Sequence, residues 1–149
     1  MTMRGSLRGA AAWLRRGAAL GVVVVLVGVA GPNAGADQTV TFDGAGDAPH
    51  VSLICDSTLS GVRWYADYGA LRHYNFVLSA ESCRRTAVPS CISREGYRAA
   101  SVIAAMRGLD GQLGRVVVVM SGYNDPVASV GDAIAGVVDE ARRQGVEHE

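Results

Sequence analysis

Two stretches decide the fold: His50-Val51-Ser52-Leu53-Ile54-Cys55-Asp56-Ser57 and Arg115-Val116-Val117-Val118-Val119-Met120-Ser121. Each is a short aliphatic run that stops at a polar corner, Asp56-Ser57 in the first and Gly122-Tyr123-Asn124-Asp125-Pro126 in the second. Runs this short and this rich in β-branched residues suit strands buried on both faces, as in a parallel sheet. A third run, Tyr74-Asn75-Phe76-Val77-Leu78-Ser79, reads as another strand. Helical spacing fills the gaps over residues 58–69, over residues 98–109 and from Pro126 to Gly145, where Val130, Ile134, Val137, Val138 and Ala141 recur. Alternating strands and helices predict an α/β domain with a parallel sheet. Val146-Glu147-His148-Glu149 resembles the start of a fourth strand, so the sheet reads as truncated at its C-terminal edge.

In such a sheet, ligands bind beyond the carboxyl ends of the strands. Both polar corners fall there, which delivers Ser57 and Asn124 to one edge. A serine at a helix N-terminus can expose its hydroxyl while its backbone N–H faces a developing negative charge. The other reading is that Ser57 or Thr58 simply caps the helix.

Asp56-Ser57 and Gly122-Tyr123-Asn124-Asp125 resemble the first and third signature blocks of the SGNH (GDSL-type) hydrolases, over residues 50–148. The resemblance implies a flavodoxin-like three-layer α/β sandwich with Ser57 as nucleophile. It also implies an oxyanion hole built from the Ser57 N–H and the Asn124 side-chain amide. A third donor comes in that family from a glycine N–H after the second strand; Gly96, in Arg94-Glu95-Gly96-Tyr97, is the best-placed residue here. Asp56, Gly122 and Asp125 would line the substrate site. Two departures stand out. Cys55 replaces the glycine that usually precedes Asp-Ser, and the family's Asp-x-x-His block, which supplies the general base and its orienting carboxylate, is absent.

A serine hydroxyl is a weak nucleophile until a neighbour takes its proton. The histidines are His50, His73 and His148. His50 begins the strand that Ser57 follows, about 20 Å away at 3.3 Å per residue. His73 precedes the second strand, and His148 would open the next, so all three fall at the wrong end of a parallel sheet. The expectation is therefore an exported serine esterase or O-acyl hydrolase whose general base is missing from this chain. The alternative is a non-enzymatic, degenerate SGNH-like binding domain or an inactive fragment.

The 149 residues allow one domain. Arg4, Arg8, Arg15 and Arg16 precede an apolar run over residues 18–30, and Ala34-Gly35-Ala36 fits a small-x-small cleavage site. Residues 1–36 thus read as a secretory signal peptide cleaved after Ala36; the other reading is an uncleaved membrane anchor. Removing the leader leaves ten arginines against 14 acidic residues, a net charge of −4. No basic stripe points to nucleic acid. Residues 37–49, with Gly44, Gly46 and Pro49, read as a linker.

Cys83 and Cys91 can close a short loop as a disulfide in an exported protein. Neither histidine spacing nor a second cysteine pair supports a metal site, and no cofactor is implied. Cys55, inside an apolar strand, reads as a buried free thiol. Trp64 and Tyr68 fit core or cleft wall better than a carbohydrate platform. Arg84, Arg85 and Arg94 either meet an anionic or polyhydroxyl substrate or solvate their loop. The expected substrate is a small-molecule or carbohydrate ester, and export favours acetylated cell-envelope sugars.

Overall fold

The computed structural model describes residues 38–147; the leader and His148 lie outside them. The elements follow as β1 (Thr39–Phe42), β2 (His50–Cys55), α1 (Ser57–Trp64), β3 (Asn75–Ala80), α2 (Val102–Gly108), β4 (Val116–Met120) and α3 (Val130–Arg143). Short 3-10 turns at Leu71–His73 and Val127–Ser129 precede β3 and α3.

The four strands form one sheet in the order β1-β3-β2-β4. β2 pairs in parallel with both β3 and β4, in registers that set Cys55 beside Ala80 and Met120. β1 adds to the outer edge of β3 and runs antiparallel. The domain is thus a small α/β unit with a mixed sheet rather than an all-parallel one. The segment read as a linker supplies β1, because Val40 and Phe42 alternate with Thr39 and Thr41 and turn their side chains onto β3. Phe42 stacks on Phe76 with ring centroids 5.6 Å apart.

Period-two alternation divides β2 between two cores. Ile54 packs with Val117, Val102, Met106, Leu113 and Ala141, beneath α2 and α3. Leu53 and Cys55 pack with Phe76, Leu78 and Ala80, against Leu59 and Val62 of α1. Cys55 is the buried free thiol expected, and burial, the largest cause, pushes its pKa up to about 11.

Helix bounds differ from the sequence reading for local reasons. α1 ends at Trp64 rather than near Gly69, and Ala66 follows with φ +51, a left-handed conformation that stops the helix. α2 starts at Val102 because Ser101 caps it, accepting from the Ala104 N–H. Gly114, φ +69, is obligatory: a Cβ there would lie 2.6 Å from the His50 carbonyl oxygen. After α3 the chain returns to the start of β4, where the Glu147 N–H donates to the Arg115 carbonyl and the two side chains pair. The fourth strand expected from residue 146 is therefore present as a single backbone contact within the described residues.

Candidate active site

The carboxyl ends of β2, β3 and β4 are stitched together by backbone bonds. The Asp56 N–H donates to the Met120 carbonyl at 2.9 Å, and the Glu81 N–H to the Cys55 carbonyl at 3.1 Å. The loops carrying Ser57, Ser82–Cys83 and Asn124 therefore leave one edge.

Asp56 is buried and caps α1: its carboxylate accepts from the Thr58 N–H at 2.9 Å and from the Thr58 hydroxyl. That settles the capping question against Ser57 and gives Asp56 the role of helix cap. Ser57 occupies the first helical position, solvent-exposed, and its hydroxyl makes no hydrogen bond to another described residue. First-turn N–H groups have no intrahelical partner, so the helix leaves the Ser57 N–H unused.

Asn124 is half-buried, and its side-chain amide donates to the Arg84 carbonyl at 3.1 Å. That bond engages one of the two amide hydrogens. Gly122 holds φ +120, a conformation that turns the chain from β4 into this corner and would strain any other residue. Asp125 faces inward: its carboxylate accepts from the Thr86 N–H at 2.9 and 3.0 Å and from the Thr86 hydroxyl at 2.6 Å, which also bonds Ser121. It ties the two loops together.

Gly96 sits in a turn with φ +86, and its N–H donates to the Ser93 carbonyl at 3.1 Å. That donor is engaged locally. Cys83, three residues beyond β3, has φ +62 and an N–H with no partner among the described residues. The Cys83–Cys91 disulfide is formed, with Cα atoms 5.5 Å apart. An unusual backbone at the strand end, which a sequence pattern built around glycine overlooks, therefore falls on a cysteine.

Arg84 neither meets a substrate nor solvates its loop. It is fully buried, and its guanidinium donates to the carbonyls of Ser79 at 2.6 Å, Ala100 at 3.1 Å and Cys55 at 3.3 Å, and to the Ser79 hydroxyl. Beside it lies a buried ionic cluster without a sequence signature. Arg63 binds Glu81 at 3.1 Å and Glu95 at 2.9 Å, and also reaches the Ala80 carbonyl and Gln38. Tyr97 donates to Glu81 at 2.6 Å, and burial followed by that bond raises its pKa. Burial works against the Glu95 carboxylate, yet hydrogen bonds from Ser82 and Trp64 hold its pKa down to about 2.

His50 and His73 lie at the amino ends of β2 and β3, opposite Ser57. No group of His, Cys, Asp or Glu among the described residues is arranged to hold a metal ion. None of the described helices is long and apolar enough to cross a membrane. No protein-family model, curated protein or solved structure matches the chain.

Proposed function

We propose that the chain is an exported SGNH-type ester hydrolase with Ser57 as its nucleophile. The observation that carries this reading is the division of labour at the corner: Asp56 caps α1 and leaves the Ser57 hydroxyl exposed and unengaged. Asn124 comes from the neighbouring strand of the same edge. The parallel strands stand in the order second, first, third, which agrees with the beginning of a flavodoxin-like sheet.

The Ser57 oxygen would attack the ester carbonyl while the Ser57 N–H and the Asn124 amide stabilise the tetrahedral oxyanion. The carbon–oxygen bond to the alcohol then breaks, the alcohol leaves with the serine proton, and water releases the acid from the acyl-serine. Cys83 replaces Gly96 as the third donor in this proposal, because its N–H is unengaged at the end of β3. The general base comes from outside residues 38–147. The placement of His50 and His73 favours a second reading, a binding domain that holds an ester or acetyl group without turning it over.

Incubating the secreted protein with p-nitrophenyl acetate and mapping acetylation by peptide mass tests both readings. Acetyl on the Ser57 peptide, lost in Ser57→Ala, supports the nucleophile. Asn124→Ala should slow acylation about 10²–10³-fold. Wild-type protein that binds the ester without acetylating Ser57 points to the binding domain, and acetylation that survives Ser57→Ala overturns the assignment.

A further inference from the structure

The exposed face of α1 does not end at Ser57. Ser57, Gly61 and Trp64 lie at i, i+4 and i+7, one above another on a helix, with the ends about 10 Å apart at 1.5 Å per residue. Between them Gly61 leaves an open lane: a Cβ built there meets nothing within 4 Å. At the far end Trp64, Tyr65, Arg94 and Glu95 line a cavity of about 300 Å³. Trp64 is 38% exposed and Tyr65 82%, whereas Tyr68 packs into the core against Phe76. Trp64 and Tyr68 thus part company: Trp64 is exposed at the end of the lane, and Tyr68 belongs to the core.

The charges at that end are unequally engaged. The Glu95 carboxylate is taken by Arg63, Ser82 and the Trp64 indole N–H. The Arg94 guanidinium lies 5.1 Å from the centroid of the Trp64 ring and makes no hydrogen bond or ion pair with another described residue. So the lane ends in two exposed aromatic rings and a cation whose neighbouring carboxylate is committed elsewhere. Flat aromatic surface takes the apolar face of a sugar ring, and a free arginine fork takes a carboxylate in bidentate fashion.

We propose that the Trp64–Tyr65–Arg94 cavity is a subsite for an anionic sugar residue, about two helical turns from the Ser57 hydroxyl. Deepening the esterase reading, it makes the substrate class an acylated glycan that carries a carboxylate-bearing sugar next to the esterified one. The carboxylate binds Arg94, the ring lies against Tyr65 and the exposed edge of Trp64, and the acyl group reaches Ser57 along the Gly61 lane.

Calorimetric titration of the secreted Ser57→Ala protein with tetragalacturonate, with a neutral glucose tetrasaccharide and with a short polyglutamate peptide tests the subsite without turnover. Uronate binding that weakens about tenfold or more in Arg94→Ala and again in Tyr65→Ala, with the neutral sugar about tenfold weaker, supports it. Uronate binding unchanged in Arg94→Ala overturns the subsite, as does the absence of binding at millimolar ligand. Equal affinity for polyglutamate overturns the sugar assignment in favour of an acidic peptide. Because Ser57 is absent from the titrated protein, failure here leaves the acetylation result on Ser57 untouched, and the reverse also holds.

Discussion

The two flanks of the sheet face that carries α1 are finished differently. On the β3 side, Phe76 is buried beneath Phe42 and Tyr68, and Arg72 covers the Phe42 ring at 6.0 Å. On the β4 side Val118 and Met120 are left 38% and 41% exposed. An apolar cavity of about 400 Å³, lined by Val51, Leu53, Tyr74, Val116 and Val118 among others, opens between the flanks. Yet the Asn124 loop grows out of the open flank. What holds that loop is therefore the polar stitching at the carboxyl edge: the Asp56–Met120 backbone bond, the Asp125–Thr86 bonds and the Asn124–Arg84 bond. On this face the apolar packing lies mainly on the β3 flank, while the site is positioned by bonds that span both.

The largest effect should come from breaking the covered flank. Phe76→Ala removes a fully buried ring on which Phe42 and Tyr68 both rest, and should cost about 3–5 kcal/mol in urea unfolding. Next comes the loop that closes the site. Replacing the disulfide in Cys83→Ser/Cys91→Ser should cost about 2–3 kcal/mol, the loop-closure value for a bridge of this span. The same variant frees the backbone at position 83 from the bridge that anchors it. If Ser57 is the nucleophile and the position-83 N–H an oxyanion donor, acylation of Ser57 should thus fall further than stability alone explains when both are measured well below the unfolding midpoint.

A smaller effect follows from pH. The Glu95 carboxylate is held below its ordinary value of 4.5, so ionised Glu95 favours the folded loop. Its contribution is complete above about pH 4.5 and is lost as pH falls towards 2. Trp64 donates to that carboxylate, so its fluorescence should shift across this window in the wild type. In Glu95→Gln the shift should disappear; an unchanged shift would place its origin elsewhere.

The strands that frame the site were legible because each is an uninterrupted aliphatic run ending in a polar corner; β2 and β3 are buried as such runs suggest, whereas in β4 only Val117 is buried and Val118 and Met120 stay partly exposed. β1 was not, since Thr39 and Thr41 face outward and the segment becomes a strand by pairing with β3, 34 to 40 residues further along the chain. Ser57 and Asn124 could be placed on one edge from topology alone. The engagement of the Gly96 N–H could not, because it depends on a turn formed with Ser93. Nor did composition distinguish Arg84 from Arg94. Carbonyls from Cys55, Ser79 and Ala100 converge only after folding, and they draw one arginine inside while the other stays out.

The smallest effect tests whether the open flank is dispensable to the site. Val118→Ala removes two methyl groups from a side chain that is already partly in water, so it forfeits only part of the burial lost at Phe76 and should cost about 1 kcal/mol or less. The strand's pairing with β2 runs through the backbone and is unaffected by the truncation. Acylation of Ser57 should therefore be unchanged in Val118→Ala. A loss of acylation at unchanged stability would mean that the face of β4, and not only the bonds at its carboxyl end, positions Asn124. The separation between a load-carrying flank and a site-carrying edge would then fail.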